Sequence, residues 1–302
     1  MFPAPRPSWP TKSSGNAMTS GQWLTAATTQ LKTAGVSSAK LDALILLEDC
    51  LAVERSHILA HPEIKLKASQ IKKLNKQVAR RALHEPLAYI RGFSEFYGRQ
   101  FMVNKHVLEP RPESETMITL LKNLLYHNPS ISEDGPLKIT TNERIAKIAD
   151  VGTGSGCLGI TATLEISGSQ VDLYDTDTKA LVVAKHNMAL HGLHLRTSRC
   201  DLLSNCHSSY DVIVANLPYL PDRWQIDMSI SREPAIAFFG GPDGLDLYRR
   251  LFDQISHFSW RPKYILTESL PLQHKELLKI AKNHGYKEHT EQDFIQIFET
   301  SP

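Results

Sequence analysis

D-V-G-T-G-S-G-C-L-G-I, residues 150–160, follows an apolar run over 145–151 and decides how the rest of the chain is read. Glycines at 152, 154 and 156 let the backbone turn tightly and approach a ligand where any Cβ would collide. A helix opening directly after them aims its amide-rich N-terminus at that ligand. A glycine-rich loop alone is a weak signal. Its force comes from position: a strand before it, a helix after it, and an acid about 20 residues on at the end of the next strand. That acid is Asp175 in V-D-L-Y-D-T-D, placed to accept hydrogen bonds from ribose hydroxyls. Asp177 is the neighbouring alternative and suits the cap of the following helix.

Downstream, apolar runs at 171–174, 195–200, 211–215, 264–267 and 294–298 alternate with helical patterns at 178–190, 245–258 and 271–284. Such alternation predicts an α/β fold with a mostly parallel sheet. Upstream, residues 20–83 read as helices. Trp23, Leu24, Ala27 and Leu31 recur at three- and four-residue spacing until Gly35 stops the run, and Leu41, Leu44, Ile45, Leu47 and Leu51 form a second face. Ile71, Leu74, Val78 and Leu83 mark another among Lys72, Lys73 and Lys76, a lysine group that reads as a solvated helix face. Residues 91–103 form an aromatic hairpin with glycine turns, a helix runs on to about Tyr126, and 128–142 is a polar loop.

The chain has 302 residues, 41% of them apolar, enough for one large α/β domain and a smaller partner. Its 34 Lys plus Arg nearly balance 32 Asp plus Glu, unlike the basic footprint of a dedicated nucleic-acid binder, so no direct nucleic-acid contact is expected. Cys50, Cys157, Cys200 and Cys206 suit a reducing compartment. His191, His194, Cys200, Cys206 and His207 are too loosely spaced for a zinc site, and no metal is assigned. Residues 1–18 lack a signal-peptide core and read as a disordered tail, with Met18 a candidate start. No stretch approaches the roughly 20 apolar residues of a membrane span. The expectation is a monomeric, cytoplasmic protein.

The loop does not fit the dinucleotide pattern G-x-G-x-x-G. Its G-x-G-x-G spacing resembles the S-adenosylmethionine loop of the Rossmann-like class I methyltransferases. The resemblance implies a mostly parallel seven-stranded sheet. It places Asp150, Gly152, Thr153, Gly154, Gly156, Asp175 and Asn216 around the cofactor S-adenosylmethionine, with Asp201 beside the adenine. The run D-V-I-V-A-N-L-P-Y-L-P, residues 211–221, is loop punctuation taken alone. Beside such a cofactor, Asn216-Leu217-Pro218-Tyr219 resembles the N/D-P-P-Y motif of methyltransferases acting on planar nitrogens. An amide nitrogen is a poor nucleophile because its lone pair is delocalised. Acceptors aimed at its two hydrogens, the Asn216 side-chain oxygen and the Pro218 carbonyl, help it pyramidalise, and Tyr219 walls the flat group into line.

P-L-A-Y-I-R-G-F-S-E-F-Y-G-R-Q-F-M-V (86–103), V-L-E-P-R-P-E-S-E (107–115) and R-E-P-A-I-A-F-F-G-G-P-D-G-L (232–245), with the helical N-terminus, are similar to the HemK/PrmC family. These are N(5)-glutamine methyltransferases of the Gly-Gly-Gln loop of peptide chain release factors. The resemblance implies a helical substrate-docking domain over 19–85, a hairpin linker over 86–108 and a methyltransferase domain over 109–302. It implies Asn216, Pro218 and Tyr219 as catalytic residues. Leu217, Arg111, Glu113 and Glu233 join them against the substrate, with Pro234 shaping the loop above. Glu113 and Glu115 serve equally well as the acidic start of a helix behind Pro112. Leu217 stands where the family usually has proline, Glu109 where an apolar residue is usual, and the C-terminus is short. A ribosomal-protein glutamine, an exocyclic amine of a nucleic-acid base, and a non-catalytic binding module are the competing readings. The last is opposed by the intact Asn216 and glycine loop.

Overall fold

The computed structural model describes residues 18–127, 146–226, 228 and 230–301. The tail over 1–17, the polar loop over 128–142 and the first residue of the expected 145–151 strand lie outside the described residues. Contacts divide the chain into a smaller unit, up to Gly92 with Met228–Arg232, and a larger one, Phe93–Asp227 with Glu233–Pro302.

The smaller unit is built from α1 (Ser20–Thr33), α2 (Ala39–Leu51), α3 (Arg55–Ala60), α4 (Ala68–Arg81) and α5 (Leu87–Arg91). Thr19 and Gln22 form a capping box at the start of α1, and Trp23, Ala27 and Leu31 then bury one stripe at four-residue intervals. The Trp23 indole N–H donates to Asn75 Oδ1 at 2.8 Å, so the largest buried ring keeps a partner. Arg81 reaches Asp42 at 2.6 Å, both nearly buried. Lys72, Lys73 and Lys76 are exposed, as the sequence pattern predicts.

The larger unit opens with the hairpin β1 (Phe93–Phe96) and β2 (Arg99–Met102), turning at Tyr97-Gly98. The Tyr97 N–H donates to Glu115 Oε1 at 2.8 Å, so Glu115 secures this turn from the first residue of α6 (Glu115–His127). There follow β3 (Lys147–Val151), α7 (Cys157–Glu165), β4 (Gln170–Asp175), α8 (Thr178–Leu190), β5 (Arg196–Arg199), β6 (Val212–Ala215), α9 (Asp246–Ser256), β7 (Tyr264–Glu268), α10 (His274–Asn283), β8 (Tyr286–Gln292) and β9 (Ile295–Thr300). Asp177 caps α8, its side chain accepting from Lys179 N–H.

The seven strands run in the order β5-β4-β3-β6-β7-β9-β8. The first five are mutually parallel, and β9 is antiparallel to both β7 and β8. β6 is buried throughout and β3 in all but its first residue, as continuous apolar strands covered on two faces must be. The chain leaves β3 in one direction, through β4 to β5, and returns to the other side of β3 as β6. The carboxyl ends of β3 and β6 therefore flank the reversal of strand order, where an open α/β sheet forms a crevice. β8 was not expected from the sequence. Its Y-K-E-H-T-E-Q buries Tyr286 and leaves most of the rest exposed, because it is an outer strand with little core to face.

Candidate active site

A cavity of ≈ 420 Å³ opens at that crevice, within the size range of small-molecule sites. Gly152, Thr153, Gly154 and Ser155 line it from the loop after β3, Asp175 from the end of β4, Asp201 from beyond β5, and Asn216, Leu217 and Pro218 from the end of β6. Arg111 lines it as well. Asn216 thus faces the same space as the glycine loop.

Gly152 and Gly154 take φ of +74° and +55°. Gly152 is held from below by Leu217, whose Cδ2 lies 2.9 Å from where a Cβ on Gly152 would sit. Asp175 accepts from Gly154 N–H at 2.9 Å through Oδ2 and from Asp177 N–H at 2.8 Å through Oδ1. Burial raises its pKa, partly offset by these backbone donors. A carboxylate with about four acceptor positions keeps capacity for a hydroxyl donor beside these backbone bonds. Asp201 is exposed and ion-paired with Arg250, which also lines the cavity.

Five of the expected site residues do not line the cavity: Asp150, Gly156, Glu113, Tyr219 and Glu233. Asp150 is 1% exposed, and its Oδ2 accepts from Thr153 Oγ1 at 2.6 Å and Gly159 N–H at 2.9 Å. It ties the glycine loop to α7 from behind. Gly156 caps α7 at φ +83°, under Ile160 and Ala184. Glu233 accepts from Glu109 N–H at 2.9 Å and pairs with Arg111 at 2.5 Å, so it anchors the loop that carries Arg111. Glu113 is exposed at the turn before α6. Tyr219 turns its hydroxyl to Glu268 at 3.1 Å.

Burial raises the Asp150 pKa to about 6, against its hydrogen bonds with Thr153 and Gly159, while Asp175 adds repulsion. An acid with a raised folded pKa binds more protons folded than unfolded, so its contribution is full below pH 3.8 and is lost as pH rises through about 6. Asp150→Asn is expected to flatten this slope by roughly 3 kcal/mol between those limits. Urea unfolding from pH 4 to 7 measures it.

The sequence reading missed three residues behind Asn216. Glu268 ends β7 and is 1% exposed; Ser114 Oγ donates to it at 2.6 Å. The same Ser114 oxygen accepts from Asn216 Nδ2 at 3.0 Å, which leaves Oδ1 as the acceptor of the Asn216 amide. Tyr248 on α9 donates to the Glu268 carbonyl at 2.5 Å and accepts from Leu217 N–H at 3.3 Å. A proline at 217 would lack that N–H, so the departure at Leu217 adds a brace to the loop. Glu109, the other departure, accepts from Ser94 at 3.3 Å. An acid closing the apolar run Y-I-L-T was the available signal for Glu268.

Residues 22–92 match the family model PrmC N-terminal domain, and residues 137–233 match Methyltransferase small domain. A bifunctional methyltransferase of Rickettsia bellii is 34% identical over 279 residues, covering 85% of this chain and 49% of that protein. The chain thus spans about half the length of the bifunctional methyltransferases it matches. Among solved structures, the hMettl16 catalytic domain in complex with a 3′UTR hairpin superposes with a TM-score of 0.51 at 14% identity, over 78% of this chain and 82% of that one, a likeness of fold.

The fold is that of the class I methyltransferases, and the cofactor is S-adenosylmethionine. The residues present fit it. The glycine loop offers close backbone approach, Asp175 offers acceptors to ribose hydroxyls, and Leu158, Ala180 and Leu202 give apolar walls. Release factor glutamine methyltransferases of Koribacter versatilis and Coxiella burnetii are 34% and 32% identical to the chain. The alignments cover 79% and 83% of this chain, and 81% and 86% of those proteins. The chain belongs to the release factor glutamine methyltransferase family.

Proposed function

We propose that the chain transfers a methyl group to the side-chain amide nitrogen of the glutamine in the Gly-Gly-Gln loop of peptide chain release factors. The observation that carries this reading is the sharing of one cavity by Gly152–Ser155 and the acceptors Asn216 and Pro218. S-adenosylmethionine supplies the electrophilic methyl when bound.

Asn216 Oδ1 and the Pro218 carbonyl accept the two N–H groups of the carboxamide, which localises the nitrogen lone pair for attack. Tyr219 is half-buried beside them and is fixed through its hydroxyl, so its ring limits the tilt of a flat group. No base is needed before attack. The alkylated nitrogen is acidic and releases its proton to water. Arg111, held by Glu233, presents a cation at the entrance for the polar backbone of an incoming loop.

The test uses purified full chain, methyl-labelled S-adenosylmethionine and a release factor, with the loop glutamine intact or changed to alanine. Label on the first alone supports the reading. Equal label on both, or on neither, overturns it.

A further inference from the structure

We propose that Glu268 is a positioning residue for this reaction: its buried carboxylate orders Ser114 and Tyr219 so that Asn216 presents its amide oxygen, and not its nitrogen, to the incoming carboxamide. The inference rests on the reading of function above. Its basis is the register of the sheet and the direction of each hydrogen bond.

Ala215 of β6 is paired with Thr267 of β7, so the next residue on each strand, Asn216 and Glu268, emerges at the same level of the sheet edge. An ionised carboxylate has no proton to give. Ser114, 2% exposed, must therefore donate to Glu268 Oε2, and Tyr219 to Oε1. Once the Ser114 proton is spent this way, its oxygen can only accept from Asn216, and the Asn216 group that donates is Nδ2. Oδ1 is then the atom left for the substrate.

Among the described residues, no Lys or Arg pairs with Glu268, which makes a 1%-exposed carboxylate costly to keep unless its acceptor character is used. The groups facing it are Ser114, Asn216 and Tyr219, with Tyr248 on its carbonyl and the carboxylate of Glu113 adding repulsion, while burial keeps the nearby Cys157 thiol uncharged. Burial raises its pKa, against the hydrogen bonds from Ser114, Tyr219 and Asn216, while Glu113 raises it further. The ionised form is the ordering one. Activity that depends on it is present at high pH and falls as pH drops through the raised pKa, where the carboxyl gains a proton and frees the Ser114 hydroxyl to turn toward Asn216 Oδ1.

The experiment measures kcat, KM and their pH dependence for wild type, Glu268→Gln, Glu268→Asp, Ser114→Ala and the Ser114→Ala/Glu268→Gln double variant, with release factor as substrate. Calorimetry with S-adenosylhomocysteine and thermal unfolding accompany the kinetics. Glu268→Gln is expected to lose about 10²-fold in kcat, the scale of a misplaced contacting group, with cofactor-product affinity and Tm little changed. The acid limb of the wild-type profile should vanish in Glu268→Gln and persist in Glu268→Asp. Because one chain of bonds is broken twice, the double variant should be no slower than the worse single one.

Wild-type kcat and an unaltered acid limb in Glu268→Gln would overturn the proposal. So would a loss of kcat that comes with lost cofactor-product binding and a lowered Tm in both Glu268→Gln and Ser114→Ala. A wild-type protein that leaves the release factor unlabelled overturns the functional reading itself, whereas an active wild type with an equally active Glu268→Gln overturns this inference alone.

Discussion

Asn216→Ala is expected to lower kcat by about 10²- to 10³-fold, the loss measured when one preorganised polar partner of a reacting group is removed. In free energy this is roughly 3–4 kcal/mol of transition-state stabilisation. The substitution removes the acceptor Oδ1 and also the donor Nδ2 that holds Ser114. Ser114 keeps its bond to Glu268, so the buried carboxylate is not stranded and the fold should survive. Asn216 lines the cavity beside Pro218, whereas Asp175 and the Gly152–Ser155 loop line it from the ends of the neighbouring strands, the side proposed to take the cofactor. Cofactor affinity should therefore change by no more than a few-fold. The measurement is single-turnover transfer at saturating methyl donor, paired with calorimetry of S-adenosylhomocysteine. Loss of both kcat and cofactor binding would show that Asn216 serves the cofactor and that the glutamine clamp is misassigned.

The fold and the cavity lining were legible in the sequence to an uneven degree, and the unevenness has physical causes. The glycine loop, Asp175 and Asn216 were readable because each stands at or one step beyond the end of an apolar strand, where a change from buried hydrocarbon to polar groups marks the sheet edge. The span of α8 was readable from its Asp177 cap and its four-residue stripe of Ala180, Ala184 and Met188. β8 was not, since a polar outer strand carries no alternation to detect. The residues behind the site were hidden for a different reason. Tyr248 sits on an amphipathic helix where an aromatic reads as core, and its hydroxyl meets Leu217 and Glu268 only after residues 31 and 20 positions away are folded together. Ser114 and Glu268 are 154 residues apart, and no local pattern joins them. Asp150 shows the converse: its place in the motif suggests a ligand contact, and the structure shows it buried, bracing the glycine loop through Thr153 and Gly159.

Gly240→Ala should cripple the reaction from outside the cavity, because Gly240 is packed against the very carbonyl proposed to accept a substrate N–H. A Cβ on Gly240 would lie 2.3 Å from Pro218 O and 2.5 Å from Gly244 O, distances at which backbone has to move. Gly240 cannot retreat freely, since its N–H donates to Leu220 O at 3.0 Å and Leu220 N–H donates back to Phe238 O at 2.7 Å. Gly244 closes the other side: at φ +82° its own added Cβ would meet Tyr219 O at 2.0 Å, while Gln273 Nε2 ties Tyr219 O to the Asp243 carbonyl. The backbone from Pro218 to Leu220 is thus clamped at two successive carbonyls by positions that accept only glycine. Relief of the clash must push the Pro218 carbonyl by a large fraction of an ångström. A shift of about 1 Å at a positioning group costs about 10²-fold in rate. The loss should appear in kcat/KM for the release factor, with a fall in Tm of several degrees from the strained loop and with S-adenosylhomocysteine affinity retained. Retained kcat/KM in a folded Gly240→Ala protein would mean that the Pro218 carbonyl is not an acceptor for the substrate, because no small relaxation keeps that oxygen in place beside a methyl group 2.3 Å away.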